Sequence, residues 1–313
     1  NEYVETGKLL GYKQLALTDD GVLHGAVEFY ERCIQNGIQP ILGCTFEISW
    51  KSDASRKEML VVYAKGAKGY ESLLKLSTLY QQGITWTTEM TEWIATHSED
   101  VKIFLPPMDS EWVAAHSKGK LESVLRAVKE EFPGVEIAVG ITREMVERGE
   151  FDKMRAGIED AGVVPVAFSV ARYLNTTDYF SWKVLQAIRL GETLSFTQED
   201  ATGSESLPEA TSMAKVFQAA EGGVLLSNLE QFTKDLVVEI PLRDTMLPKF
   251  PVPGGKTSTQ FLYELCEAAM LEMGVTTPIY VNRLKEELAV IHEMGFDDYF
   301  LIVCDIMRHA REQ

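Results

Sequence analysis

The chain has little of what marks secreted or membrane-embedded proteins. Its four cysteines, Cys33, Cys44, Cys266 and Cys304, lie far apart and form no CxxC pair. Scattered thiols of this kind are typical of a reduced cytosolic protein and exclude a disulfide scaffold. No apolar run approaches the roughly 18 residues that a membrane helix needs. The start of the chain lacks the basic and apolar regions of a signal peptide. We therefore expect a cytoplasmic protein without membrane contact.

Positive charge is also scarce. The chain has 30 Lys and Arg against 47 Asp and Glu, which gives a formal net charge of −17. A field of that sign repels a phosphate backbone. We expect that these residues do not bind DNA tightly by themselves.

An initiator methionine is missing as well. The chain begins at Asn1, and its first residues are typical of the middle of a helix. We expect a fragment cut at both ends. Its 313 residues, 45% of them hydrophobic, suffice for one large domain or one and a half average domains.

Short apolar runs alternate with amphipathic helical patterns over the first two thirds of the chain. Candidate strands are residues 14–18, 40–48, 59–64, 101–105, 135–141 and 164–169. Alternating strand and helix predict parallel strands wrapped by helices. A helical face that includes Val22, Tyr30 and Ile34 has Asp20 as its predicted N-cap and Gly37 as its predicted C-terminal stop.

The pattern changes after residue 195. Residues 197–208 are polar and predict a loop, and helical patterns follow at 209–220 and 225–236. A Pro- and Gly-rich stretch, residues 247–255, is typical of a linker. Beyond it lie three helical patterns, 259–273, 280–294 and 299–310.

Several strings resemble one family. Residues 15–30 (LALTDDGVLHGAVEFY) and 37–44 (GIQPILGC) are similar to the second and third motifs of the polymerase-and-histidinol-phosphatase (PHP) domain in bacterial C-family replicative polymerases. Residues 69–77 (GYESLLKLS) match the same family. Residues 294–303 (MGFDDYFLIV) resemble its segment leading into the palm domain. The nearest resemblance is to DNA polymerase III alpha subunits of DnaE type.

The resemblance implies an α/β fold, a distorted seven-stranded (β/α) PHP barrel whose first strand is missing here, followed by a helical part of the palm. It divides the chain into a PHP domain at 1–245, a linker at 246–258 and the start of the palm at 259–313. It implies a full-length DNA-directed DNA polymerase, either replicative or error-prone. This nucleotidyltransferase of DNA replication uses Mg²⁺, primer–template DNA and dNTPs, and it works with a sliding clamp and other replisome proteins. The catalytic aspartates are expected outside these residues, so the chain itself is expected to be inactive and to hold no cofactor.

A PHP metal site needs several His, Asp and Glu side chains at the ends of barrel strands. In the family the second motif carries a metal-binding His after Thr-Asp, where this chain has Asp20. The third motif places Glu directly after Gly-Cys, where this chain has Thr45, with Glu47 two residues later. The late Asp-x-His is replaced by Val170 and Arg172.

Arg172 is the most informative of these changes, because a guanidinium is always cationic and repels a metal ion. We expect it to pair with Asp19 or Asp20, which leaves a vestigial, metal-free site made of Asp19, Asp20, Glu47, Val170 and Arg172. The alternative function is a metal-dependent PHP phosphoesterase or a proofreading 3′–5′ exonuclease. The second acidic pair, Asp297-Asp298, resembles polymerase carboxylates, but we expect Asp298 to be a helix cap.

Overall fold

The computed structural model describes residues 2–50, 53–83, 86–108, 110–193, 205–219, 223–240 and 248–312. They belong to two compact units, Asn1–Ile240 and Pro241–Gln313. The limits 1–245, 246–258 and 259–313 derived from the sequence remain a prediction. Most of the predicted loop at 197–208 and the start of the linker lie outside the described residues.

A curled six-stranded sheet forms the centre of the first unit. Its strands are β1 (Gln14–Leu17), β2 (Gln39–Trp50), β3 (Asp53–Ala64), β4 (Val101–Leu105), β5 (Glu136–Ile141) and β6 (Val164–Ala167), and they follow the order β1-β2-β3-β4-β5-β6. The half-barrel confirms the predicted α/β class and is consistent with a PHP-type barrel.

The prediction of parallel strands throughout was wrong for β3. This strand is antiparallel to both β2 and β4, whereas the pairs β1–β2, β4–β5 and β5–β6 are parallel. Only residues 51 and 52 separate β2 from β3. A connection that short permits a hairpin but not the crossover that parallel neighbours require.

Helices surround the sheet. Those of the first unit are α1 (Glu2–Leu9), α2 (Ala26–Asn36), α3 (Gly66–Gly83), α4 (Thr88–Thr96), α5 (Glu111–Ser117), α6 (Leu121–Glu131), α7 (Arg143–Glu147), α8 (Glu150–Asp160), α9 (Tyr179–Leu190), α10 (Ala210–Ala219) and α11 (Gly223–Thr233). Helix α2 buries Ala26, Phe29 and Cys33, which are spaced three and four residues apart on one face.

For α2, the predicted C-terminal residue is confirmed and the predicted N-cap is wrong. Gly37 does end the helix: it adopts the left-handed conformation (φ 69°) and its N–H bonds back to the last turn. Asp20 is not the N-cap, because the helix begins only at Ala26 and Gly25 precedes it. Asp20 instead forms a parallel bridge with Thr45 of β2.

Both faces of the sheet are buried. One face packs against the surrounding helices and includes Phe46, Ile103 and Val139. The other face, with Ile41 and Phe104 among its residues, packs against Phe232 of α11. A fully buried strand such as β4 therefore shows no polar alternation, which is expected of a sheet covered on both sides.

One lysine is buried in the second face. Lys102 of β4 is 2% exposed, and its Nζ lies 2.7 Å from Asp235 Oδ1 and 2.9 Å from Glu136 Oε2. It also donates to the Phe232 carbonyl at 2.8 Å. These three acceptors compensate a charge that would otherwise be costly to bury.

The second unit is helical. It contains α12 (Ser258–Glu272), α13 (Pro278–Glu293) and α14 (Asp297–Glu312). Thr257 and Gln260 form a capping box that starts α12. In the parts of the chain that the structure describes, every helix is too short or too polar to span a membrane.

Candidate functional site

The predicted vestigial site lies where β1 and β6 end. Asp19 and Asp20 follow β1, while Val170 and Arg172 follow β6. These are the first and last strands of the sheet. Only β3 runs antiparallel to its neighbours, so β1 and β6 run in the same direction. All four residues therefore belong to the carboxyl-terminal edge of the sheet, where α/β proteins place their ligand sites.

Asp19 is held through its backbone. Its carbonyl accepts the N–H of Thr45 at 3.0 Å and the thiol of Cys44 at 3.5 Å. Burial, with a smaller contribution from the neighbouring Asp20 charge, raises the pKa of the Asp19 carboxyl, and His24 acts against both. The positive charge close to the Asp19 carboxyl is thus smaller than the charge that a bound metal ion would provide.

The third-motif residues Cys44 and Thr45 are engaged in contacts within the barrel. Thr45 uses its hydroxyl to donate to the Thr18 carbonyl at 2.8 Å. Cys44 is fully buried, and burial raises the pKa of its thiol to about 12. Glu47 is exposed, and alternation along the strand places it on the face opposite the buried Phe46 and Ile48.

Arg172 is engaged, but not with the predicted partner. Its Nε lies 3.1 Å from Glu205 Oε2, and its guanidinium carbon lies 5.5 Å from the centre of the Trp182 ring. The expected pairing with Asp19 or Asp20 was wrong. The backbone explains the choice, because the Arg172 N–H donates to the Glu205 carbonyl at 2.9 Å and sets the two chain segments side by side.

Asp20 has its own cation. Arg189 Nη1 of α9 lies 3.2 Å from Asp20 Oδ2, and the two side chains are 65% and 60% exposed. The replaced ligand positions therefore do form arginine–carboxylate pairs, but each pair includes one residue that the sequence did not single out. The spacing of Trp182 and Arg189 within one helix was the available signal, although it does not identify their partners.

These residues do not fit a metal centre of the PHP type. Val170 has no lone pair to offer, Arg172 carries a fixed positive charge, and the Thr45 hydroxyl is already used. Among the described residues, no three His, Cys, Asp or Glu side chains are grouped so that they could hold a metal ion.

The acidic pair of the second unit is buried. Asp298 accepts hydrogen bonds from Ser258 Oγ (2.6 Å), the Phe250 N–H (2.9 Å) and Lys249 Nζ (3.0 Å). The Ser258 hydroxyl is the largest of several influences, and together they lower the pKa of Asp298. Its neighbour Asp297 contacts His292 Nδ1 at 3.1 Å.

The prediction that Asp298 is a helix cap was therefore wrong. It lies in the first turn of α14, where a negative charge is favourable, but its bonds go to the segment before α12 and to the start of that helix. Three donors leave little room for a metal ion or a nucleotide, so the arrangement is a structural clamp.

Comparison with known proteins identifies both units. Residues 1–151 match the PHP domain, and residues 260–313 match the bacterial DNA polymerase III alpha NTPase domain. Over its whole length the chain is similar to DNA polymerase III alpha subunits. The resemblance noted in the sequence motifs is thereby confirmed.

Relatives cover the whole chain. The DNA polymerase III subunit alpha of Halalkalibacterium halodurans is 32% identical over 324 residues, which include 99% of this chain and 28% of that protein. The subunit of Bacillus subtilis (strain 168) is 29% identical over 317 residues, with 100% of this chain and 28% of that protein. The chain thus spans little more than a quarter of the length of these relatives.

One solved structure aligns with part of the chain. It is an amidohydrolase from Chromobacterium violaceum, which covers 53% of this chain and 79% of its own at 11% identity, with a TM-score of 0.36. A likeness of that size carries no argument about function.

Proposed function

We propose that this chain is part of a DNA-directed DNA polymerase and that its PHP domain is a metal-free scaffold. Similarity to DNA polymerase III alpha subunits over the whole chain supports the polymerase assignment. The observation that carries the scaffold role is that Arg172 contacts Glu205 and the Trp182 ring. A permanently cationic side chain with these contacts stands where the family has a metal ligand.

The polymerase as a whole is proposed to use primer–template DNA, dNTPs and Mg²⁺, and to act with a sliding clamp and other replisome proteins in the cytoplasm. Two Mg²⁺ ions held by carboxylates activate the primer 3′-hydroxyl and stabilise the leaving pyrophosphate in such enzymes. Residues 1–313 contribute the scaffold and none of that chemistry. With a net charge of −17, they are proposed not to hold DNA tightly on their own.

A hydrolase assay separates the scaffold from a phosphoesterase or proofreading nuclease. The chain is incubated with a phosphomonoester, and separately with a 3′-labelled oligonucleotide, in the presence of Mn²⁺ or Zn²⁺. The scaffold role predicts no turnover above that of the free ions. Metal-dependent turnover that Asp19→Asn abolishes would contradict it, because Asp19 directly precedes the position at which the family has a metal-binding His.

A primer-extension assay tests the polymerase assignment separately. The full-length protein is expected to extend a primed template with Mg²⁺. A full-length protein that binds primed DNA but incorporates no nucleotide would contradict the assignment while leaving the scaffold role untouched.

A further inference from the structure

Two replaced ligand positions contact the same helix. Asp20, after β1, pairs with Arg189 at 3.2 Å. Arg172, after β6, lies with its guanidinium carbon 5.5 Å from the centre of the Trp182 ring. Trp182 and Arg189 both belong to α9.

The two contacts use one face of that helix. Trp182 and Arg189 are seven residues apart, which is about two turns and about 10 Å along the axis. Their partners follow the first and last strands of the sheet, whose carboxyl ends lie at the same edge. Helix α9 therefore reaches from one end of the half-barrel sheet to the other, along the edge where a PHP domain holds its metal ions.

We propose that α9 is a strap latched across this edge, and that Asp20 and Arg172 are its attachment points. The helix needs such points because none of its twelve residues is buried. A helix without a buried face gains little from packing and depends on a few side-chain contacts. The Asp20–Arg189 contact is exposed, so the strap opens locally without unfolding the barrel.

The two ends of the strap are held differently. At the amino-terminal end, the ring of Tyr179 contacts the buried Tyr173 with ring centres 5.9 Å apart, and Trp182 contacts Arg172. At the carboxyl-terminal end, the Asp20–Arg189 ion pair is an attachment formed by two residues that the structure describes. Opening therefore starts at the carboxyl-terminal end, with the aromatic contacts serving as the hinge.

Amide hydrogen exchange tests this arrangement in the intact chain. In Asp20→Asn and in Arg189→Gln, amides of residues 186–190 are expected to exchange roughly threefold faster than in the wild type, whereas the β4 and β5 amides are unchanged. The double variant is expected to show the same exchange rates as the single variants, because each substitution removes the same ion pair. The exchanged pair, Asp20→Arg with Arg189→Asp, is expected to restore most of the protection.

A matched control is available in α7. Arg143 pairs with Glu147 at 2.7 Å, and the two side chains are 55% and 51% exposed, close to the values for the latch. Arg143→Gln is expected to leave exchange in α9 unchanged. Unchanged exchange of residues 186–190 in both latch variants, or equal acceleration in the control, would overturn the proposal.

Salt provides a second readout. Because the latch is an exposed ion pair, raising NaCl from about 0.05 M to about 1 M is expected to speed exchange of residues 186–190 in the wild type but not in Asp20→Asn. An equal response in both proteins would contradict the latch. Neither readout depends on metal or on polymerase activity, so the strap and the proposed function can fail separately.

Discussion

Ser258 donates its hydroxyl to Asp298 across 2.6 Å, and this bond joins the start of α12 to the start of α14. Because Asp298 also accepts from the Phe250 N–H and from Lys249, one carboxylate secures three chain segments of the second unit. These hydrogen bonds explain why Asp298, in an acidic doublet that resembles polymerase carboxylates, is buried here.

Asp298→Ala is expected to destabilise the second unit by about 2–4 kcal/mol, since it leaves the Ser258 and Phe250 donors without their acceptor. Hydrogen exchange of peptides from α12 and α14 measures the loss. All five tryptophans lie before residue 183, so an unchanged fluorescence transition shows that the first unit stays folded.

Asp305→Ala is the matched control for that substitution. Asp305 is an exposed aspartate of the same helix, and its replacement is expected to change stability by less than about 0.5 kcal/mol. Equal effects at both positions would show that the clamp contributes nothing beyond helix charge.

Lys102→Ala is expected to cost about 1–3 kcal/mol, because it leaves the Phe232 carbonyl without its donor and removes the ion pairs with Glu136 and Asp235, although Asp235 keeps Lys65 as a cation. Urea unfolding followed by tryptophan fluorescence gives the free energy. Lys118→Ala, at an exposed lysine, is expected to fall within about 0.5 kcal/mol of the wild type. A loss below 1 kcal/mol at Lys102 would mean that water reaches the cluster.

The burial of Glu58 predicts that the free energy of unfolding depends on pH. This β3 residue is 2% exposed; its Oε2 accepts the Glu111 N–H at 2.9 Å, and its Oε1 is buried without a partner among the described residues. Burial raises the pKa of Glu58 to about 7. The folded state therefore binds the proton more tightly than the unfolded state, and stability is lost as pH rises from about 4.5 to about 7.

Glu58→Gln removes this titration. The variant is expected to gain stability relative to the wild type over that pH range, by on the order of 3 kcal/mol at pH 8 compared with pH 4. Urea unfolding at several pH values measures the difference. Glu130→Gln, at an exposed position, is expected to show no such trend; a flat difference for Glu58→Gln would mean that its carboxyl is solvated.

Much of the fold could be predicted from hydrophobic periodicity. The predicted strands at 14–18 and 101–105 agree with β1 and β4 to within one residue, because buried apolar runs flanked by turns have few other structures available. Strand direction could not be predicted in the same way. The predicted strand ends at 48 and 59 left ten residues between β2 and β3, which hid a hairpin whose real connection is two residues long.

The candidate site was predictable by position but not by contact. The motifs located Asp20 and Arg172 at ends of strands. Their partners, Arg189 and Glu205, lie 169 and 33 residues further along the chain. No periodic pattern encodes such pairs, since they depend on where α9 and the segment around residue 205 are placed by the fold.

Calorimetric titration of Zn²⁺ and Mn²⁺ into the chelator-treated chain tests the central claim most directly. Arg172 and Val170 in place of ligands predict no stoichiometric binding tighter than about 10 µM. Uptake of one or more ions per chain with a Kd below about 1 µM, lost in Asp19→Asn, would contradict the account.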